Sequence, residues 1–318
     1  MAPIADPSPS EPAPSRAESN PFFLMKDLVQ ETFSEWNKDK ASRLAAALSY
    51  YTIFSVAPLL IIAIAVAGLV FGRKAATDQI VFEIRGLVGD QGAQVVQTIL
   101  QNAGKTTSGI LATVIGVATL LVGASGAFGQ LQESLNTIWE VKPKAGRGVK
   151  GVLRDRFLSF SMVLVIGFLL MVSLLLSAFL AGIGKYLAEL LPMSSVVMQA
   201  LNFGISLGVT TFLFALIYKV LPDAYVRWRD VWVGAAVTAV LFSLGRFLIG
   251  LYLGRSSVSS AYGAAGSLVV LLLWIYYSAQ ILFLGAEFTQ VYAGRFGKAI
   301  IPKPNAERLN PPAGAAPA

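Results

Sequence analysis

The sequence predicts an all-α, polytopic membrane protein with six transmembrane helices and both termini in the cytoplasm. Its residues are 55% hydrophobic and only 14% charged, whereas a soluble domain carries about a quarter charged residues. The hydrophobic residues form long uninterrupted runs, which is typical of membrane spans rather than of a soluble core. The segments that connect successive spans are alternately rich and poor in lysine and arginine, which indicates an orientation in the membrane.

The N-terminal segment is predicted to have two parts. Residues 1–21 contain six prolines and four serines without an apolar stretch suited to a secretory signal, so we expect a disordered, uncleaved tail. Residues 22–43 have apolar side chains at helical intervals and charged residues between them, which predicts an amphipathic helix lying in the inner membrane interface. This pattern favours a structural anchor over a substrate-binding role. The apolar positions are Met25, Leu28, Val29, Phe33 and Trp36.

The transmembrane domain is predicted over residues 44–301. Each of its six apolar runs has about 20 or more residues, enough at 1.5 Å per residue to cross a core of about 30 Å. A long outer loop, residues 73–106, has the spacing of one or two short helices that cap the outer face. The Pro- and Ala-rich tail, residues 302–318, is predicted to be disordered. The six predicted spans are 44–71, 107–128, 157–183, 193–218, 231–253 and 257–286.

The distribution of basic residues sets the predicted orientation. Eighteen of the 25 lysines and arginines fall in the N-terminal segment, the second and fourth loops and the C-terminal segment. Six fall on the opposite side, and Arg246 lies within a span. Because basic residues concentrate on the cytoplasmic side, both termini are expected inside the cell.

The first span has an unusual polar face in the segment AAALSYYTIFSVAPLL, residues 45–60. Pro58 removes a backbone hydrogen bond and should kink the helix, leaving the carbonyl of Phe54 free. Thr52 and Ser55 are placed to satisfy it, since freed backbone groups in a membrane need such partners. This face could line a solvated cavity or could serve only for helix packing. Its candidate residues are Ser49, Tyr51, Thr52, Ser55 and Pro58.

The sixth span has a second polar stripe. Tyr276, Gln280 and Glu287 lie within about 40° of each other on one helix face. From the helical rise, Gln280 and the hydroxyls of the first span share a depth in the inner half of the membrane. The stripe is consistent with hydrogen bonding between helices or with a cavity between the first and sixth spans.

Two further features of the spans have structural and functional interpretations. Arg246 stands in the outer half of the fifth span, where an arginine costs about 2.5 kcal/mol or more. It could face the bundle interior and bind an anionic group, or it could extend to the outer headgroups. The pairs Gly204–Gly208 and Gly250–Gly254 are GxxxG motifs, which favour close helix packing.

The composition excludes several kinds of chemistry. The chain has no cysteine and no histidine, which removes thiolate nucleophiles, Cys/His metal sites and the commonest general base. It also lacks a phosphate-binding Walker A loop, so it cannot drive transport by its own ATP hydrolysis. We therefore expect no enzymatic activity, no cofactor and no metal. The basic loop 142–156 lacks interleaved aromatic residues, so no nucleic-acid partner is expected.

Four segments of the chain resemble the YihY/BrkB family of bacterial inner-membrane proteins. Besides residues 45–60, they are FGQLQESLNTIWEV at 128–141 and the stretches 218–253 and 262–293. The resemblance covers about residues 25–300. It implies six helical spans in the inner membrane and a role in transport or lipid translocation. The family was once labelled ribonuclease BN, but tRNA-processing nucleases of the metallo-β-lactamase type bind metal mainly through histidines, which this chain lacks.

Two functional hypotheses follow from these features. The first is a transporter or a translocase of lipids or other amphiphiles, with membrane lipids as partners and an anionic lipid or small molecule as substrate. In this hypothesis Arg246 would bind the anionic group, and the polar faces of the first and sixth spans would line its path. The alternative is a non-transporting scaffold or assembly factor that holds partners through its basic inner loops and glycine-rich faces. The sequence does not predict an oligomeric state.

Overall fold

The computed structural model describes residues 21–105, 126–144, 195–255, 266–297 and 300–309. These residues are mostly helical, with four short strands between and after the helices. The helices are α1 (Pro21–Lys38), α2 (Ala41–Phe71), α3 (Arg73–Lys105), α4 (126–138), α5 (Ser195–Val220), α6 (Trp228–Arg255) and α7 (Gly266–Phe296). The strands are β1 (Val141–Pro143), β2 (Ala224–Tyr225), β3 (Ile301–Pro302) and β4 (Ala306–Arg308).

Three of the described helices are long and apolar enough to cross a membrane. The qualifying stretches are Phe203–Val220 in α5, Trp228–Ile249 in α6 and Leu268–Phe296 in α7. They overlap the predicted fourth, fifth and sixth spans, and α2 forms a helix over the predicted first span. The predicted spans 107–128 and 157–183 lie outside the described residues, except for 126–128. Six spans and cytoplasmic termini therefore stay predictions.

Helix α7 is the centre of the described structure, because α1, α2, α3 and α6 all pack against it. The main buried cluster joins Ala45 and Leu48 of α2 to Ala279 and Phe283 of α7, and it continues to Trp139 at the end of α4. A second cluster joins Val270, Leu271 and Ile275 of α7 to other helices. Small alanines at the crossing points allow these helices to approach closely.

The segment after α2 differs from the prediction of one or two short capping helices. It forms a single helix of 33 residues, Arg73–Lys105, which begins directly after Gly72. Gly72 has φ 81°, a left-handed conformation that glycine adopts without steric cost. The glycines within α3 weaken helix formation, but the side chain of Ile84 packs against the cluster around Val270. Tertiary burial therefore outweighs the local preference for a break.

The predicted interfacial helix 22–43 is also divided in two. Helix α1 ends at Lys38, and α2 begins at Ala41 after Lys40, which has φ 53° and ψ 41°. A non-glycine residue in this conformation turns the chain sharply, which forms a corner between α1 and α2. Leu28 of α1 is buried, whereas Met25 and Phe33 are exposed. The segment is therefore two helices joined by a turn, whereas one helix over 22–43 was predicted. Its place in the inner membrane interface stays a prediction.

The predicted disordered tail 302–318 contains ordered structure in its first part. Strand β3 pairs with β2 and strand β4 pairs with β1, both antiparallel. The Lys303 N–H donates to the Asp223 carbonyl at 2.9 Å, and Lys303 Nζ donates to the Pro222 carbonyl at 2.6 Å. These strands were missed because each has only two or three residues, too few for an alternating pattern.

Candidate functional site

The hydroxyl groups predicted to form a polar face on α2 bond mainly to α2 itself. Ser49 and Ser55 are both buried. Ser49 Oγ donates to the Ala45 carbonyl at 2.5 Å, and Ser55 Oγ lies 3.1 Å from the carbonyls of Tyr51 and Thr52. The structure thus satisfies Ser55 through carbonyls other than that of Phe54, the acceptor predicted from Pro58.

The remaining α2 candidates lie near the surface or at a packed contact. Tyr51 is 43% exposed, and its ring lies over Gly126, where an added Cβ would be 3.3 Å away. Thr52 is half-buried. Helix α2 continues through Pro58 to Phe71 without interruption.

The two predicted polar stripes are on helices that pack directly against each other. Tyr276 is half-buried and contacts the main buried cluster, and Gln280 is half-buried one turn later. Between the helices lie Ala45, Leu48, Ala279 and Phe283 of that cluster. The contact between α2 and α7 is therefore apolar around these four residues.

Arg246 lies apart from these stripes. The preceding residue, Gly245, is buried against the ring of Tyr277 and the side chain of Ile281 on α7. Arg246 itself is exposed, as are Phe247 and Leu248 beside it. Its side chain lies on the outer surface of α6, so the structure does not bring it together with the other predicted site residues.

Glu287 has the most unusual environment of the predicted residues. Its relative exposure is 0%, and neither carboxylate oxygen has a hydrogen-bond partner among the residues that the structure describes. The charged groups whose field reaches it are Asp39, Glu35, Lys38 and Glu140. We refer to these four residues as the corner cluster, because they surround the turn between α1 and α2.

The corner cluster has three acids and one base. Lys38 Nζ lies 2.7 Å from Glu35 Oε2 and 3.2 Å from Glu140 Oε1. The hydrogen bond to Glu35, supported by the one to Glu140, holds the pKa of Lys38 above its usual range. Partial burial raises the pKa of Asp39 to about 6, although Lys38 opposes the shift. Glu140 has φ 52°, and its carbonyl accepts the N–H of Leu309 at 2.8 Å, which fixes the position of this acid.

A buried hydrogen-bond network ties α4 to the α5–α6 connection. Asn136 Nδ2 donates to Asp223 Oδ2 at 3.1 Å, and the Asp223 N–H donates to Asn136 Oδ1 at 2.7 Å. Both residues are buried. With strands β1–β4, this network joins the end of α4, the α5–α6 connection and residues 300–309 by hydrogen bonds.

Helices α6 and α7 cross through a reciprocal glycine–threonine contact. Thr289 of α7 packs onto Gly234 of α6, and Thr238 of α6 packs onto Gly285 of α7. Each threonine also donates to a carbonyl of its own helix, Thr238 to Gly234 at 2.7 Å and Thr289 to Gly285 at 2.6 Å. Tyr218 Oη of α5 lies 3.0 Å from Thr238 Oγ1 and donates to the Leu282 carbonyl at 2.7 Å. The crossing thus joins three helices.

The predicted GxxxG pairs do not form this crossing. An added Cβ at Gly204 or Gly208 would meet nothing within 4 Å. The surroundings of Gly250 and Gly254 are not among those that the structure describes. The contact uses glycine on one helix and threonine on the other, in the pattern Gly-x-x-x-Thr on both. A search for glycine pairs alone misses it.

A cavity of about 760 Å³ lies between α2 and α3, at the end of α2 away from the corner cluster. Its apolar wall includes Ile61, Ile64 and Phe82, and its charged lining consists of Arg73, Asp78 and Arg85. Two bases and one acid leave one net positive charge. The remaining lining residues are Gly68, Leu69, Thr77, Val81, Gln97, Leu100 and Gln101. An apolar wall beside arginines is suited to a molecule with an apolar body and an anionic group.

The described part of the chain has no group of three or more Asp, Glu, His or Cys side chains arranged to hold a metal ion. Two places in the described residues are candidate sites: the surroundings of Glu287 and the cavity between α2 and α3.

Comparison with known proteins places the chain in a family. Residues 32–310 match the family described as "Virulence factor BrkB". The chain belongs to the BrkB family. Among curated proteins, it is 29% identical over 268 residues to a UPF0761 membrane protein of Tolumonas auensis, covering 79% of this chain and 80% of the relative. No solved structure matches the chain.

Two further relatives of the BrkB-family chain differ in length. A UPF0761 membrane protein of Aeromonas salmonicida is 29% identical over 277 residues, covering 84% of this chain and 90% of the relative. One of Pseudomonas aeruginosa is 31% identical over 259 residues, covering 78% of this chain but only 58% of the relative. The BrkB-family match confirms the resemblance inferred from the four segments, and the relatives' names agree with a membrane location.

Within the matched BrkB-family region, sequence reasoning missed two sets of polar residues. Asn136 and Asp223 stand 87 residues apart, and no local pattern links them. Arg73 and Arg85 contributed only to the predicted membrane orientation. Their spacing of 12 residues sets them about 120° apart on one helix, which is too wide to indicate a shared face.

Proposed function

We propose that the protein is an inner-membrane transporter or translocase of an anionic lipid or a related amphiphile, without an ATPase of its own. The observation that supports this proposal is the α2–α3 cavity, with an apolar wall beside Arg73 and Arg85. Its volume of about 760 Å³ lies within the range of small-molecule sites, about 300–1,000 Å³. Such a cavity accommodates a headgroup together with part of its acyl chains.

The charge of the cavity favours an anionic headgroup. The guanidinium groups can bind phosphate or carboxylate oxygens through paired hydrogen bonds, which are stronger than neutral ones. Asp78 in the same lining disfavours a small, highly charged anion that would need all of the positive charge. The apolar wall formed by Ile61, Ile64 and Phe82 would bury the first methylene groups of a chain, each contributing about 0.8 kcal/mol.

The distribution of lysines and arginines supports an orientation for this proposal. The α1 end would face the cytoplasm, and the cavity would open toward the outer leaflet. Substrate would then enter or leave the protein in the outer leaflet. Arg246, exposed on α6, would contact lipid headgroups there instead of forming part of the cavity. In this proposal the step involves no enzymatic reaction, and lipids are the only partners.

The proposal is tested with purified protein in liposomes that contain a fluorescent anionic phospholipid, with a membrane-impermeant quencher added outside. Wild-type protein should accelerate exchange between leaflets. Because one charged hydrogen bond contributes about 1.5–3 kcal/mol, Arg73→Gln and Arg85→Gln should each slow exchange about tenfold or more. The matched control is Lys74→Gln, which removes the same charge from an exposed neighbouring position that does not line the cavity.

Two outcomes would contradict the proposal. Exchange rates equal to those of protein-free liposomes across anionic, zwitterionic and single-chain amphiphiles would exclude translocation and favour the scaffold hypothesis. If Lys74→Gln slowed exchange as much as Arg73→Gln, the effect would come from general surface charge instead of the cavity.

A further inference from the structure

We propose that Glu287 is a proton-binding site that exchanges with the aqueous α1 side through the acids of the corner cluster. The proposal extends the proposed function, because the bound proton would be the coupling ion of transport. Proton binding itself, however, can be measured without any transport. Two observations carry the proposal: a buried carboxyl group without a hydrogen-bond partner among the described residues, and a partly exposed acidic cluster whose charges act on it.

The first observation is the burial of Glu287. Its side chain has 0% exposure, and its two oxygens lack hydrogen-bond partners among the described residues. An ionised carboxylate in such a place would carry an uncompensated charge, which proteins avoid by pairing or by neutralising the group. In a membrane helix, an acidic residue of this kind is typical of proton and ion pathways. The group must therefore hold a proton or another cation.

The second observation is the arrangement of the charges around Glu287. The groups that reach it are Glu35 and Lys38 on α1, Asp39 in the turn, and Glu140 after α4. The single lysine is already engaged by two acids, Glu35 and Glu140, and so it does not neutralise Glu287. At the neighbouring ends of α6 and α7, Arg227 pairs with Asp230 and Arg295 pairs with Glu31. These bases are likewise engaged by acids of their own.

Asp39 is suited to carry protons between Glu287 and water. It is half-buried in the turn, so it contacts solvent while its field reaches Glu287. Burial raises the pKa of Asp39 to about 6, which lets it gain and lose a proton close to neutral pH. A relay group functions best when its pKa is near the working pH. The carboxylates of Glu35 and Glu140 place negative charge around the turn, which attracts protons to it.

A proton fits this site better than a metal ion. Hard cations such as Ca²⁺ take six to eight oxygen ligands, and Mg²⁺ requires octahedral coordination. No described group of three or more acids has the arrangement to hold a metal. A proton needs only the carboxyl group itself.

Infrared spectroscopy of the detergent-purified full chain tests proton binding directly. At about pH 7.5, ordinary carboxyl groups are ionised because their pKa values are near 4. A carboxylic-acid C=O band at this pH should therefore arise from Glu287, and Glu287→Gln should remove it. Glu133→Gln, which changes an exposed carboxyl on α4, should keep it. Asp39→Asn should keep the band but slow its shift after transfer into deuterated buffer.

Each alternative result overturns a defined part of the proposal. No band at about pH 7.5, or a band unchanged in Glu287→Gln, excludes the protonated Glu287. If Glu287→Gln does not fold, an unchanged deuterium shift in Asp39→Asn still excludes the relay. Loss of the band on adding Na⁺ at constant pH would assign the site to that ion instead.

Transport assays separate this proposal from the function on which it rests. A pH gradient across the liposome should change the lipid exchange rate at least threefold for wild-type protein and leave Glu287→Gln unaffected. If the protein accelerates lipid exchange but the rate does not respond to the pH gradient, proton coupling is overturned while the proposed translocase function stands. If the infrared band is present but the protein does not accelerate lipid exchange, the proton site is supported and the proposed translocase function is overturned.

Discussion

The glycine–threonine crossing of α6 and α7 offers a sharp test of the packing. A methyl group added at Gly234 would lie 2.7 Å from Thr289 Cβ, and one added at Gly285 would lie 2.8 Å from Thr238 Cβ. Both distances are well below van der Waals contact, and the opposing atoms are held close to the backbone of the other helix. The helices must therefore separate in Gly234→Ala or Gly285→Ala. Overpacking of this kind costs about 1–3 kcal/mol, and we expect the upper part of that range at both positions.

The assay is thermal unfolding of the purified protein in detergent, followed by circular dichroism. For a domain of this size, about 2–3 kcal/mol corresponds to a fall in Tm of about 4–12 °C. Gly208→Ala is the matched control, because an added Cβ there meets nothing within 4 Å and alanine favours the helix by about 1 kcal/mol. Combining Gly285→Ala with Thr238→Gly, which removes the opposing Cβ, should recover part of the loss. Equal Tm values for Gly208→Ala and Gly285→Ala would refute the close crossing.

Three other predictions concern the α1 end. The raised pKa of Asp39, about 6 against 3.8, means that its ionisation opposes folding. The free energy of unfolding should thus fall by about 1 kcal/mol from pH 4 to above 6, after allowing for solvent screening. In chemical denaturation at different pH values, the free energy of unfolding of Asp39→Asn should not show this fall. A pH dependence identical to that of the wild-type protein would contradict the prediction. Asn136→Ala should lower stability by about 2–3 kcal/mol, because it leaves buried Asp223 without two hydrogen bonds; a loss equal to that of an exposed Asn37→Ala would argue against the network. Deleting residues 300–318 should lower Tm by several degrees, whereas deleting 310–318, which removes none of the described strands, should not; equal Tm values would show that β3 and β4 add nothing.

The sequence predicted the long apolar helices because hydrophobic length is a strong and purely local signal. Helices α5 and α6 accordingly begin and end within three residues of their predicted spans, whereas α7 ends at Phe296, ten residues beyond the predicted end at 286. The corner at Lys40 was missed because no glycine or proline marks it in the sequence. Local backbone hydrogen bonds hold the turn, including the Lys40 N–H to the Asn37 carbonyl at 3.2 Å. Strands β1–β4 were missed because their partners lie far away in the chain. Register between distant two-residue strands has no local signature.

Prediction of the candidate site was limited by what helical angle alone can specify. Tyr276, Gln280 and Glu287 share one face of α7, and helical angle alone therefore predicts one polar stripe. Seven residues separate Gln280 from Glu287, however, which is about 10 Å along the helix axis. Over that distance the neighbour of α7 changes from the apolar part of α2 to the turn between α1 and α2. Tyr276 and Gln280 thus lie at a packed helix contact, whereas Glu287 lies beneath the corner cluster. The same helix face has a packing role at one depth and an ionisable site at another, because each depth meets a different partner.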